Sequence, residues 1–368
     1  MRFLRRFSSS RISAAQFFAR TSISPNHNSS LLAPTHFTPK SVVLLSTPQN
    51  LPFVIENAIT FYQLVGMQVL VAGVDGVVPN GTRNGVSELW LDDYLTFGKS
   101  IELSKKDSTP PLRESDGIHV VGAKTHWKNI DAGLRLYFGD NTVDLSLANT
   151  AFSTNTLATL FFFQPKHLQE KTKDSNMGEM LCELTATLPN LEPQLSGPLS
   201  EDRWIRLTDE ELRVTKFHGN LIKSINGKSA ASFLEKNEKL MSLASKDTKV
   251  YVKLYNGDLC KKYEVIAGGG GWGAKADLLA ISPEAKPQKG DRLEFFMVSP
   301  DDRYGEMTSA VVSNRIRFEC IPEATSYGGE VPASQEVENL FGCGCESGFE
   351  VNEVNHRSAG EVVEFSWK

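Results

Sequence analysis

Two short apolar segments on either side of a helical pattern open the ordered part of the chain. Val42–Leu45 is a continuous apolar run, which predicts a buried strand. Asn50 and Pro52 are typical of a helix start, and apolar residues then recur at helical spacing as far as Gly66. Val69–Ala72 predicts the next strand. A strand–helix–strand unit of this length forms a right-handed crossover, so we expect a parallel strand pair.

The following segments are dominated by strand patterns. "GVSELWLDD" predicts a strand, and "LRLYF" and "TVDLSL" flank the hairpin signal "GDN" at 139–141. We interpret "MGEMLCELTATL", which starts at Met177, as a helix. The proline-containing segment that begins at Pro189, "PNLEPQLSGPLSED", is typical of a linker and predicts a domain boundary near residue 200.

Beyond this boundary the pattern favours an antiparallel sheet. Strands are predicted at 212–216 and 221–225, a helix starting from Ser229, and then five further strands in "KVYVKLY", "CKKYEVIA", "ADLLAIS", "DRLEFFMV" and "NRIRFEC". The predicted fold class is therefore mixed α/β. An N-terminal strand–helix–strand half precedes a sheet-rich, largely antiparallel C-terminal half.

The N-terminal segment differs from the rest in its charge. It contains no acidic residue before Glu56 and is rich in Ser and Arg, and its Phe, Leu and Ala residues can form one face of a helix. This combination is typical of a mitochondrial transit peptide. We predict a transit peptide at 1–40, a first domain at 41–200, a second domain at 201–368 and a location in the mitochondrial matrix.

Charge and apolar run length restrict the classes of partner. The chain carries 39 basic and 44 acidic residues, a net charge of −5; without residues 1–40 and their six basic residues, 33 basic against 44 acidic residues leave −11. Acidic proteins bind nucleic acids and anionic membranes poorly, so we expect no nucleic-acid partner. No apolar run approaches the roughly 20 residues of a transmembrane helix, and we expect a soluble protein.

The five cysteines are too scattered for a disulfide framework, and free thiols are expected in the matrix. Cys343 and Cys345 lie close to His356 in the sequence, and cysteine and histidine are two of the residue types that bind zinc. A structural zinc site needs four ligands, usually at C-x₂₋₄-C spacing, so we predict no metal site.

A glycine run after a predicted strand raises the question of phosphate binding. The P-loop pattern fails, because Ala274 separates Gly273 from the only nearby lysine, Lys275. Gly268, Gly270 and Gly273 match the dinucleotide pattern G-x-G-x-x-G, but "AKADLLAIS" is short for the helix that this pattern requires. The alternatives are a bend between two strands and a ligand-facing loop with Trp272 as an apolar wall.

A second candidate for a ligand-binding site is the turn after the second predicted strand, which contains Gly73, Asp75 and Gly76. Ligands of open α/β sheets bind at the carboxyl ends of strands, so Asp75 is our candidate for a polar ligand contact, and turn formation alone is the alternative. We hypothesise that the 73–76 turn and the 268–273 loop converge on one site.

The order of these segments resembles the FIST family of sensory domains, which has N-terminal and C-terminal halves. The resemblance begins at "SVVLLSTPQN" and continues in "VTKFHGNLIKSINGKSAASFL", where residues 225–230 read Ile-Asn-Gly-Lys-Ser-Ala in the family's order. It ends in "NLFGCGCESGFEVNEVNHRSAGEVVEF". Ala72 and Gly73 replace a Gly-Cys pair of the family, so no role of that cysteine is carried over. Residues 95–205 diverge.

The resemblance implies a ligand-sensing protein for small molecules such as amino acids, which signals through an unidentified protein partner. We expect no catalytic residues and no cofactor. Two other functions stay open: a nucleotide- or dinucleotide-dependent enzyme that uses the 268–273 loop, and a mitochondrial assembly factor.

Overall fold

The computed structural model of the protein describes residues 16–28, 30–103, 131–169, 177–189, 196–243, 248–257, 259–268, 277–298, 314–322 and 333–366. These residues form four β-sheets and a few short helices, which confirms the predicted sheet-rich, mixed α/β class. The helices are α1 (Leu51–Thr60), α2 (Ala151–Thr154), α3 (Lys166–Gln169), α4 (Ser232–Glu235) and α5 (Glu238–Leu243); a 3-10 turn (Pro48–Asn50) and a π turn (Phe61–Val65) flank α1.

The strands are given in chain order in three groups: those before residue 203, those between residues 204 and 298, and those after residue 314. The first group contains β1 (Phe17–Ile23), β2 (Ser41–Ser46), β3 (Gln68–Gly73), β4 (Gly76–Val77), β5 (Gly85–Leu91), β6 (Thr96–Glu102), β7 (Gly133–Phe138), β8 (Asn141–Ser146), β9 (Leu160–Phe163), β10 (Leu181–Thr187) and β11 (Leu199–Asp202). The second contains β12 (Trp204–Arg206), β13 (Leu212–His218), β14 (Leu221–Ile225), β15 (Lys228–Ser229), β16 (Val250–Asn256), β17 (Leu259–Gly268), β18 (Leu279–Ile281) and β19 (Arg292–Val298). The third contains β20 (Arg315–Cys320), β21 (Gln335–Glu338), β22 (Leu340–Cys345), β23 (Phe349–Val351), β24 (Val354–His356) and β25 (Glu361–Ser366).

The first sheet has the strand order β21-β1-β5-β2-β3-β9 and contains the predicted crossover. β2 and β3 are parallel and α1 connects them, as expected. The helical segment ends at Gly66 in a left-handed conformation. Alternate residues of β2 enter two different cores: Val42 and Leu44 pack under α1, and Val43 and Leu45 pack on the opposite face. Burial on both faces explains the uninterrupted apolar run.

The second sheet, β24-β23-β8-β7-β10-β6, and the third sheet, β11-β25-β20-β22-β4, share one core with the first. β10 belongs to the segment that we interpreted as a helix, and that prediction is wrong. β10 pairs with β7 on one side and with β6 on the other, and its residues alternate between buried and partly exposed because successive side chains point to opposite faces of the sheet. Pairing with two neighbours outweighs the helical preference of single residues.

The fourth sheet, which runs β12-β19-β13-β14-β18-β17-β16, has its own core. We call residues 204–298 the inserted unit and the other described residues the main unit. The predicted boundary near residue 200 falls at the start of the inserted unit, but the prediction that 201–368 is one domain is wrong. β21 pairs with β1, β22 with β4 and β23 with β8, so the chain returns to the main unit after 298.

The N-terminal strand also corrects the predicted transit peptide. β1 lies between β5 and β21, and Ala19, Thr21 and Ser22 are buried. Arg20 Nη2 lies 2.8 Å from Glu88 Oε2, and the indole N–H of Trp90 donates to the same oxygen at 2.9 Å. Removal of residues 1–40 would remove this strand from the sheet, so 1–40 does not fit this fold as a dispensable segment.

Candidate functional site

The 73–76 turn joins β3 to β4, and its two glycines are explained by packing. A Cβ at Gly73 would lie 2.8 Å from Thr150 Cγ2, and one at Gly76 would lie 2.5 Å from the carbonyl oxygen of Gly81. Both glycines are buried. They allow close approach of neighbouring groups, and they do not line either of the cavities described below.

Asp75, in contrast, belongs to a charged cluster. Its Oδ2 accepts the backbone N–H of Glu346 at 2.8 Å, and the Glu346 carboxylate is ion-paired with Arg83. Burial raises the pKa of Asp75 to about 6, and the Glu346 carboxylate raises it as well, against the opposing effects of the Glu346 N–H and of Arg83. Glu346 and its neighbours connect this cluster to a cavity.

The inter-unit cavity has a volume of about 260 Å³ and lies where the inserted unit meets the main unit. Its walls come from both units. The inserted unit contributes Lys249, Tyr251 and Glu264, and the main unit contributes Ile321, Pro322, Glu346, Ser347, Arg357 and Ala359. The hydroxyl oxygen of Tyr251 accepts the Ala359 N–H at 3.2 Å, which joins β16 to the loop before β25.

Most charges in this wall are neutralised within the protein. Lys249 Nζ lies 3.4 Å from Glu264 Oε2, and Arg83, which pairs with Glu346, also donates to the Pro322 carbonyl at 2.5 Å. Arg357 differs: its exposed guanidinium has no ion-pair or hydrogen-bond partner among the residues that the structure describes. The cavity therefore offers an uncompensated positive charge.

The sheet-face cavity, of about 420 Å³, lies on the solvent side of the second sheet. Its lining includes two cross-strand ion pairs, Lys99–Glu183 at 3.1 Å and Arg135–Asp144 with contacts of 2.5 and 2.7 Å. It also includes Glu350, for which the described part of the structure contains no ion pair. Ser347 and Arg357 line both cavities, so the two spaces are neighbours.

The glycine run lies between two antiparallel strands. Gly268 pairs with Leu279, and a Cβ at Gly268 would lie 2.5 Å from Leu279 Cδ1. Antiparallel neighbours lack the crossover helix that the dinucleotide pattern requires, and the strand arrangement favours the interpretation as a bend. Gly270, Trp272 and Gly273 lie outside the described residues, so their contribution to a site stays a prediction.

The predicted convergence of the 73–76 turn and the 268–273 loop stays a prediction, because residues 269–273 lie outside the described ranges. Glu264, four residues before Gly268 on β17, reaches the inter-unit cavity, as does Glu346, the partner of Asp75. Gly268 lines neither cavity. Sequence analysis missed Arg357, Tyr251 and Glu264, since single charged or aromatic residues in a strand or hairpin carry no pattern that marks a site.

The cysteine pair is part of the core. Cys343 and Cys345 are fully buried with their Sγ atoms 3.9 Å apart, and the hydrogen bond between them together with burial raises the pKa of the Cys345 thiol. His356 is stacked on Phe349, with ring centroids 5.0 Å apart. Within the described ranges, no three His, Cys, Asp or Glu side chains are grouped as metal ligands, and no helix is long and apolar enough to cross a membrane.

Comparisons of the chain with protein-family models, with curated proteins and with solved structures found no match in any of the three. The FIST resemblance and the sensory function that it implies therefore stay predictions.

The raised pKa of Asp75 predicts a pH-dependent stability. Because the folded-state pKa of about 6 lies above the unfolded value of 3.8, ionised Asp75 destabilises the fold, and this cost grows as pH rises from about 4 to above 6. Asp75→Asn keeps an acceptor for the Glu346 N–H. We expect it to raise the free energy of unfolding by about 1–3 kcal/mol at pH 8 and to leave it nearly unchanged at pH 4.

Urea unfolding of both proteins at the two pH values measures this difference. A variant that is less stable than the parent at pH 8 would show that Arg83 and the Glu346 N–H more than compensate for the burial of the carboxylate.

Proposed function

We propose that the protein binds a small polar metabolite with a carboxylate group, such as an amino acid, at the inter-unit cavity. Arg357 supports this proposal most directly, because it lines the cavity and has no ion-pair or hydrogen-bond partner among the described residues. A guanidinium binds a carboxylate through two parallel hydrogen bonds, and such charge-assisted bonds are stronger than neutral ones.

The size and chemistry of the cavity also favour such a ligand. Pockets for drug-sized ligands have volumes of about 300–1,000 Å³ and mostly apolar walls. This cavity is smaller, at about 260 Å³, and Lys249, Glu264, Glu346 and Arg357 contribute charged groups to it. A small molecule with several polar groups fits these walls better than an apolar one.

The position of the cavity supports a sensory role. Its walls come from the inserted unit and from the main unit, so a bound ligand contacts both and favours one arrangement of the two. In our proposal, a separate protein partner recognises this arrangement, in the mitochondrial matrix. The FIST resemblance is an independent argument for ligand sensing.

Replacement of Arg357 tests the proposal. Arg357→Ala is expected to weaken binding of the retained metabolite by about tenfold to a hundredfold, as is typical of a lost hydrogen bond to a charged group. The experiment is mass spectrometry of metabolites that co-purify with the protein from mitochondria, followed by calorimetric titration of the compounds found. The matched control is Lys223→Ala, which removes an exposed positive charge. Lys223 lies outside the walls of both cavities.

Equal retention by the parent and by Arg357→Ala would contradict the proposed site. The same titration with NAD, NADP, FAD and ATP examines the nucleotide-dependent alternative, for which a saturable increase in melting temperature is the expected sign. An assembly factor would instead co-purify with a protein complex and retain no metabolite.

A further inference from the structure

We infer that the ligand is a short peptide of two or three residues with both ends free, bound across the two cavities. This inference rests on the proposed function and specifies its ligand class. The N-terminal ammonium would lie at Glu350, the C-terminal carboxylate at Arg357, and the last side chain in the inter-unit cavity.

The first argument is that the two cavities are neighbours. The sheet-face cavity of about 420 Å³ and the inter-unit cavity of about 260 Å³ share Ser347 and Arg357. In this inference, a ligand bound at Arg357 extends from one space into the other. A single amino acid would leave one of them empty, whereas a chain of two or three residues reaches from one into the other.

The second argument is the separation of two uncompensated opposite charges. In the β23–β24 hairpin, Glu350 is directly opposite Asn355, and Arg357 follows the last residue of β24, His356. Glu350 and Arg357 both line the sheet-face cavity, at different positions of its wall. A free amino acid carries its ammonium and carboxylate on one carbon, but a peptide carries them at its two ends.

The third argument is that four other charged groups of the sheet face form two ion pairs with each other. Lys99 is bound to Glu183, and Arg135 forms two hydrogen bonds with Asp144. Glu350 and Arg357 lie outside these pairs, and the side chain of Asn355 lies beside them in the cavity wall. An amide side chain can donate to and accept from a peptide group. A zwitterionic ligand also suits a chain with a net charge of −5, which disfavours polyanions.

Calorimetric titration of the purified full-length protein tests the inference. The probes are the dipeptides Ala-Ala, Ala-Glu, Ala-Lys, Ala-Gln and Ala-Phe, their C-terminal amino acids in free form, and N-acetylated and C-amidated versions of the best dipeptide. We expect the best dipeptide to bind at least tenfold more tightly than any free amino acid. N-acetylation should weaken binding about tenfold in the parent protein and less than twofold in Glu350→Gln.

A cavity-filling variant provides a second measurement. Gly133 lines the sheet-face cavity, and a Cβ there has only the Leu145 carbonyl oxygen nearby, at 3.6 Å, so Gly133→Val adds volume at a position where a Cβ is tolerated. It should weaken dipeptide binding at least tenfold and leave amino-acid binding unchanged. Gly197→Val, at an open glycine outside both cavities, is the control and should bind like the parent.

The outcomes separate this inference from the proposed function. Free amino acids that bind as tightly as the dipeptides, with a loss of affinity in Arg357→Ala, would overturn the peptide inference and retain the carboxylate site. Absence of binding for both classes would overturn the peptide inference, and equal metabolite retention by parent and Arg357→Ala would independently overturn the proposed site.

Discussion

A chain that lacks residues 1–24 is expected to lose its native fold, whereas a chain that lacks only residues 1–15 keeps it. β1 pairs with β5 over seven residues and with β21 over four, so its removal leaves β21 without its partner in the first sheet and leaves β5 paired only with β2. It also uncovers core positions next to Ala19 and Ile23. The loss exceeds the net stability of about 5–15 kcal/mol that is typical of folded proteins.

Thermal unfolding monitored by circular dichroism checks this prediction. The shorter deletion should retain a cooperative transition close to that of the full chain, and the longer deletion should show none. If the protein is imported into mitochondria, we expect mass spectrometry to find the mature N-terminus at or before Gln16. A stable mature form that begins after Ile23 would show that β1 is dispensable.

Arg20→Met is expected to lower the free energy of unfolding by about 3–5 kcal/mol, the range typical of a buried ion pair that loses one partner. Glu88 is completely buried, and without Arg20 only the Trp90 N–H remains as a partner for its carboxylate in the contacts described above. Burial already raises the pKa of Glu88 against the effect of Arg20. Without Arg20 this pKa rises further, so the loss is larger at pH 8 than at pH 5.

Urea unfolding at both pH values measures these losses, and the double variant Arg20→Met with Glu88→Gln is the control. Glutamine keeps an acceptor for the Trp90 N–H but carries no charge, so the double variant should recover more than half of the stability that the single variant loses at pH 8. A loss below about 1 kcal/mol in Arg20→Met would mean that water or other groups compensate for the buried carboxylate.

Elements with local signals were predictable from the sequence. The crossover β2–α1–β3 has an apolar run, a helical period and Gly66 as a helix end, and these depend on neighbouring residues only. The β7–β8 hairpin was predictable for the same reason, from its Gly-Asp-Asn turn. β10 was not, because its conformation depends on β6 and β7, which lie far away in sequence.

The candidate site shows the same division. Asp75 was found through its position after a strand, which is a local feature. Arg357 and Glu264 were missed, since they become neighbours of one cavity only when the inserted unit packs against the main unit. The absence of an ion pair at Arg357 is likewise a property of the folded chain and leaves no trace in its sequence.

By itself, the sequence determined the type and order of twelve of the 25 described strands, the ten-residue helix α1, the antiparallel connection suggested by the glycine run and the charge of the protein. These properties depend on side-chain periodicity and composition over a few residues. Only the tertiary structure decided that Phe17–Ile23 is a sheet strand, that residues 315–366 complete the main unit and that two cavities meet at Arg357. These features depend on pairings between distant segments, which are selected by the burial of shared apolar surface and by hydrogen bonding across the whole fold.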